Sequence, residues 1–281
     1  MSKRGRLSRM AGAALVGVLA AGVAHAPALG ADLSARDISI LLFKAPAGSH
    51  PELSNRNLTR LDLADLDFKK ADLRRSNFFG ADLSRADLSD TDLSGATLDR
   101  VTLIGARLDG AKLDNASMMR PSTTTGLVAI SQEAPSLKGA SLKSVKFFGD
   151  FSGSNFAGAD LTDSFCAPSN TTGFIEHIWR TTFLGANLTG ANLSRANMGR
   201  AQLSFAVMRG ATLHETLLVG ADLSGADLSG ADLTDADLSG ADLTDANISG
   251  ADLSGTRLHG AAGLDRLKGL SLAKNSEKIV R

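Results

Sequence analysis

Residues 221–255 read ADLSG ADLSG ADLTD ADLSG ADLTD ANISG ADLSG, seven five-residue units without interruption. Leu or Ile recurs at every fifth position: Leu223, Leu228, Leu233, Leu238, Leu243, Ile248 and Leu253. Ala stands two residues before each, Asp or Asn one before; Ser or Thr follows, then Gly or Asp. On an α-helix, positions five apart lie about 140° apart around the axis, so no apolar stripe forms. On a flat strand, an odd period sends successive leucines to opposite faces. The pattern is buried only if the chain bends once per unit, so that each unit makes one side of a coil. Leu and the preceding Ala then face the axis. The polar positions stay outside, where Asp, Asn, Ser and Gly suit tight turns. Stacked coils pair their backbones and bury each other's leucines, the logic of a solenoid.

Working outward, the same register holds over most of the chain. A first block, about 51–120, has fourteen central residues from Leu53 to Met118, Phe68 and Phe78 among them. Leu61 and Leu66 take the place of the inner Ala, which suggests a wider first coil. A middle block has seven central residues, Leu137, Leu142, Phe147, Phe151, Phe156, Leu161 and Cys166, with a one-residue slip between Phe147 and Phe151. A last block has sixteen, from Phe183 to Leu258. Insert loops are expected at 119–136 and 167–180. Both carry P-S-x-T-T-G followed by an apolar residue, at Pro121–Leu127 and Pro168–Phe174, 47 residues apart. About 40 of those residues fit two coils of four sides. The two loops are therefore expected to project from one side and pack on each other.

The A-[DN]-L-[ST]-x tandem resembles the pentapeptide-repeat family. The resemblance implies an all-β fold, a right-handed, quadrilateral (four-sided) parallel β-helix with the central Leu or Phe and the preceding Ala inside. The 37 central residues then make about nine coils, a rod roughly 45 Å long at the usual strand spacing. Relatives similar to quinolone-resistance determinants imitate DNA and bind gyrase; that role implies a cytoplasmic, strongly acidic rod.

At the ends the pattern is different. Residues 1–26 read as a secretory signal peptide: Lys3, Arg4, Arg6 and Arg9, an apolar run from Ala11 to Val23, and Ala24-His25-Ala26 as cleavage site. This places the protein in the periplasm or outside the cell. Residues 27–50 form a helical N-terminal cap and linker, with Ser34 as N-cap and Ile38, Leu41 and Leu42 as apolar stripe. Such a cap protects the open strand edges of a solenoid end. The repeats span 51–260; residues 261–281, with Leu264, Leu267, Leu270 and Leu272, are expected as a small C-terminal cap and polar tail.

The composition narrows the function. Lys and Arg number 30 against 30 Asp and Glu, which argues against nucleic acid as partner. The single cysteine, Cys166, falls at a central, inward position and reads as an inert buried thiol. From Ala221 to Thr256 there are eight acids and no base, with Asp222 stacking on Asp242, Asp232 on Asp252 and Asp237 on Arg257. These read as a solvated turn-forming face; isolated carboxylates lack the oxygen count of a Ca²⁺ site. No cofactor, metal site or catalytic residue is assigned, and the chain is not read as an enzyme. The expected role is a non-enzymatic scaffold or protein-interaction module with an unknown protein partner, no nucleic acid, no membrane contact after signal cleavage, and a possible homodimer through a solenoid end. The DNA-mimicking gyrase inhibitor is the alternative. The candidate interaction patch lies on the two loops: Thr124, Thr171, Glu176, His177 and Trp179.

Overall fold

The computed structural model describes residues 30–46, 48–125, 133–166 and 180–280. Within them the chain is a β-helix held by parallel one-residue bridges between positions twenty apart, such as Asp222↔Asp242 and Asp227↔Asn247. Twenty residues are four units, so the bridges form four columns, named here by their first members Glu52, Asn57, Asp62 and Asp67. Among the described residues, three-residue strands appear only at β1 (Ser117–Met119) and β2 (Lys146–Phe148), which pair in parallel.

One unit shows why the sequence makes this shape. Leu223 N–H donates to Asp242 O at 2.8 Å, and Asp242 N–H donates back to Ala221 O at 2.9 Å, tying one coil to the next. Ala226 N–H donates to Leu223 O at 3.0 Å and closes the corner. The last residue of the unit has positive φ, which favours the Gly, Asp and Asn that recur there; Arg also stands at several of these positions. The Asp or Asn before the leucine accepts the N–H two residues on, as in Ser224 N–H to Asp222 Oδ1 at 2.9 Å. Leu228, Ala226 and their equivalents are buried along the whole tube in one continuous core. At three places where Ser or Thr replaces the inner Ala, the buried hydroxyl donates to a carbonyl of the previous coil: Ser76 to Leu53 O, Thr216 to Leu193 O and Thr256 to Leu233 O, at 2.7–2.8 Å. Leu61 and Leu66 are only half-buried but pack on the same core.

Helix α1 (Ala35–Lys44) starts at a capping box: Ser34 accepts from Asp37 N–H, and Asp37 accepts from Ser34 N–H. Ile38 and Leu42 are buried in the tube's core. Just before the helix, the backbone bonds to the first coil, Asp32 N–H to Asn57 O at 2.8 Å and Asn57 N–H to Asp32 Oδ2 at 2.7 Å.

Two boundaries differ from the sequence expectation. The repeat does not break at Met119: Met119 lies in β1, Ser122 bridges Thr102, and Thr123 is buried at the central position. The extra residues lie between Ser122 and the next bridge at Ser136, fourteen positions instead of five. A polar Thr at the central position hid this unit. Residues 261–280 are not a tail. Ala262, Lys268, Lys274 and Val280 bridge Asp242, Asn247, Asp252 and Arg257, so the chain goes on winding in six-residue units. Short 3₁₀ turns, Leu270–Leu272 and Ser276–Lys278, take up the extra length. Of the expected cap leucines, Leu267 packs on the core, whereas Leu264, Leu270 and Leu272 are exposed. As a result the Glu52 column runs through eleven members to Lys274, more than nine coils. No helix of the described residues is long and apolar enough to cross a membrane; residues 1–26 lie outside them.

Candidate interaction surface

Both insertions are rooted on the two edges of one column. The first leaves after Ser122 of the Asp62 column and returns at Ser136 of the Asp67 column. Two coils on, the second leaves after Phe165 of the Asn57 column and returns at Thr182 of the Asp62 column, seventeen positions instead of five. The one-residue slip lies in the coil between them. β2 there continues to Phe148 where a two-residue corner would stand, and the chain turns at Gly149. Gly149 has φ 147°, and a Cβ on it would lie 3.0 Å from Pro121 Cδ and 3.2 Å from Arg120 Cα, so only glycine fits. Inside this stretch four rings, Phe147, Phe151, Phe156 and Phe183, fill the tube, Phe151 and Phe183 stacked at 5.6 Å and the other pairs edge-on.

Each loop has a neck. At the first, Thr125 N–H and hydroxyl donate to the Glu133 carboxylate at 3.0 and 2.8 Å, and the Thr124 hydroxyl donates at 3.2 Å. The Thr125 N–H first, then the two hydroxyls, hold the Glu133 carboxyl below its usual range. The Thr123 hydroxyl reaches across to Asp150 O at 2.9 Å. At the second neck the Thr181 hydroxyl donates to Cys166 O at 2.6 Å. Cys166 is fully buried, and burial pushes its thiol up to about 12, outside the range of a working nucleophile. Of the sequence-derived patch, Thr124 sits at the first neck; Thr171, Glu176, His177 and Trp179 lie outside the described residues. Among the described residues no group of three His, Cys, Asp or Glu is placed to hold a metal ion.

The sequence reading missed a second feature of the same side. Between Pro51 and Leu258, the exposed large hydrophobic residues among those described are Phe165, Leu184, Phe205, Leu217 and Val219, from 37% to 66% accessible. All fall within three successive coils. Phe165 and Leu217 belong to the Asn57 column, Val219 to its corner with the Asp62 column, and Leu184 and Phe205 to the opposite edge of the Asp62 column. Phe205 is the most exposed, at 66%, and has φ 58°. Of the non-glycine residues with positive φ among those described, it is the only apolar one. A bulky residue there is strained, and strain of this kind concentrates at functional positions. Its ring lies across the next coil, where a Cβ on Gly225 would be 2.6 Å from it. The signal was available: these are outward positions of the register that carry large apolar residues instead of polar ones.

A family model, Pentapeptide repeats, matches eight copies over residues 57–95, 81–118, 186–225 and 221–260, leaving out the stretch with both insertions. Among solved structures the chain is similar to HetL, a pentapeptide repeat protein involved in heterocyst differentiation regulation from the cyanobacterium Nostoc sp. strain PCC 7120. The identity is 27%, over 82% of this chain and 92% of HetL, with a TM-score of 0.43. It is similar to Rfr23 from the cyanobacterium Cyanothece 51142 at 31% identity, over 47% of this chain and 90% of that one, TM-score 0.38. A third is QnrB1, a plasmid-mediated fluoroquinolone resistance protein, at 21% identity over 76% and 92%, TM-score 0.39. No curated protein matches the chain. With the repeat model matched eight times and the bridges spaced as those repeats require, the chain belongs to the pentapeptide-repeat family, whose members fold as right-handed β-helices.

Proposed function

We propose that the protein is a non-enzymatic, exported scaffold that binds another protein on the side of the tube where both insertions are rooted. In this reading the tube is four-sided, α1 closes its N-terminal end, and residues 1–26 direct export to the periplasm. The observation that carries it is that, between Pro51 and Leu258, the exposed large hydrophobic residues among those described all lie in three coils beside the insertions. Contiguous apolar surface on a soluble protein marks interaction sites, and a rigid scaffold is the usual mount for them. The test is capture from a periplasmic extract with the wild-type chain, with Phe205→Ser/Leu184→Ser, and with residues 126–132 and 168–178 shortened to glycine linkers. Bound protein should fall at least tenfold with the double substitution at unchanged far-UV spectrum. Equal capture by all forms would contradict the reading.

The DNA-mimic alternative has one observation in its favour: eight acids and no base in residues 221–256, aligned in columns such as Asp222↔Asp242 and Asp232↔Asp252. Those carboxylates serve the fold as acceptors of turn N–H groups, for example Thr234 to Asp232 at 3.0 Å and Ser254 to Asp252 at 3.0 Å. A gyrase supercoiling assay separates the two readings, with no inhibition expected at micromolar protein.

A further inference from the structure

Building on the interaction surface just described, we propose that its partner is a second copy of this chain, docked side to side through Leu184, Phe205, Leu217 and Val219. Charge supports a copy as the occupant. Residues 181–220 hold four charged side chains, Arg195, Arg200, Arg209 and Glu215, against 23 in residues 51–120. Arg195 pairs with Asp163 at 2.7 Å, Arg209 with Asp227, and Glu215 lies 3.6 Å from His214. A copy brought against this belt therefore meets mainly apolar and neutral side chains, with Arg200 beside Val219 as the charge nearest the patch. The neighbouring coils, 221–256, carry eight acids and no base and would repel their own kind. Of these sections the belt sets the least charge against a copy.

Geometry supports it too. Leu184, Phe205 and Val219 sit on three consecutive coils, so the patch runs about 10 Å along a straight tube. A two-fold axis through the belt presents every contact twice, so a patch of four or five side chains acts as eight or ten. It also gives the Phe205 ring a neighbour, which offsets the strain of its left-handed backbone. The sequence expectation of a dimer through a solenoid end puts the contact elsewhere, around the exposed Leu264, Leu270 and Leu272.

The test is sedimentation velocity on the full chain from 1 to 100 µM, wild type beside Phe205→Asp/Val219→Asp and beside Leu272→Asp. The proposal predicts a wild-type species of twice the chain mass. The double variant should run as a monomer with an unchanged far-UV spectrum, and Leu272→Asp should stay dimeric. A wild type that is monomeric throughout overturns the proposal, as does a dimer lost only in Leu272→Asp. If the wild type is monomeric yet Phe205→Ser/Leu184→Ser abolishes capture from extract, the interaction surface stands and the second copy falls. If the wild type is a dimer that the double variant breaks, the surface and its occupant stand together.

Discussion

Residues 51–120 and 181–220 share one interior and have different exteriors. Both repeat a buried Leu, Phe or Met every fifth residue, with Ala two before it in half of the units of the first and most of the second. Outside, the first block carries 23 charged residues and no exposed large hydrophobic, whereas 181–220 carries four charges and Leu184, Phe205, Leu217 and Val219 in the open. In the first block two corners are tied across a coil by ion pairs, Arg85 to Asp65 at 2.7 Å and Lys70 to Asp90 at 2.8 Å. Surface pairs of this kind add little stability, and solubility is their main return. The difference teaches that a solenoid of this type separates its tasks by position within the unit. Inward positions specify the tube; outward positions are free to vary, and the apolar ones in 181–220 are not required by the tube itself.

That comparison can be broken most severely from inside. Leu228→Asp places a charge in a core with no partner and should leave the chain unfolded by circular dichroism, while Ser229→Lys, one residue on, should fold normally. Leu88→Ala in the first block and Leu203→Ala in the belt should each cost about 2–5 kcal/mol in urea unfolding, because both leucines are fully buried. A large gap between them would show that the two interiors are not equivalent. Gly225→Ala should cost about 1–2 kcal/mol from its left-handed backbone alone, and more if the Phe205 ring cannot move aside. Phe205→Ser should change stability by less than about 0.5 kcal/mol. A loss of several kcal/mol there would make Phe205 a packing residue and weaken the case for a docking surface.

The smallest effect concerns the first loop's neck. Glu133 titrates low in the folded chain because Thr125 and Thr124 donate to it. The clamp is therefore present at neutral pH and is lost as pH falls through the folded value, which lies below 4.5. A carboxyl titration by NMR should show Glu133 below that value in the wild type and shifted up in Thr125→Val.

Most of the tube was legible from sequence, since burial of Leu at every fifth residue admits one geometry. Three things hid the rest. At Thr123 a threonine holds the central position, so the run of central hydrophobes stops one unit before the coil does. After Gly260 the units lengthen to six residues, and a period-five reading loses them. Phe205, Leu217 and Val219 stood at outward positions, where a reading intent on the core does not look. Of the sequence-derived patch, the rooting of both loops along one column follows from the ladder, and Thr124 lies at a neck.

The central claim is that a hydrophobe at each fifth residue stacks the chain one coil per twenty residues. The most direct measurement is an electron–electron distance between spin labels at Thr59→Cys and Ser239→Cys, which occupy the same corner eight coils apart; Cys166, being buried, stays unlabelled. The account predicts one narrow distribution near 40 Å, about eight strand spacings plus the label arms. A broad distribution, or a distance below about 30 Å, too short for eight such spacings, would contradict it.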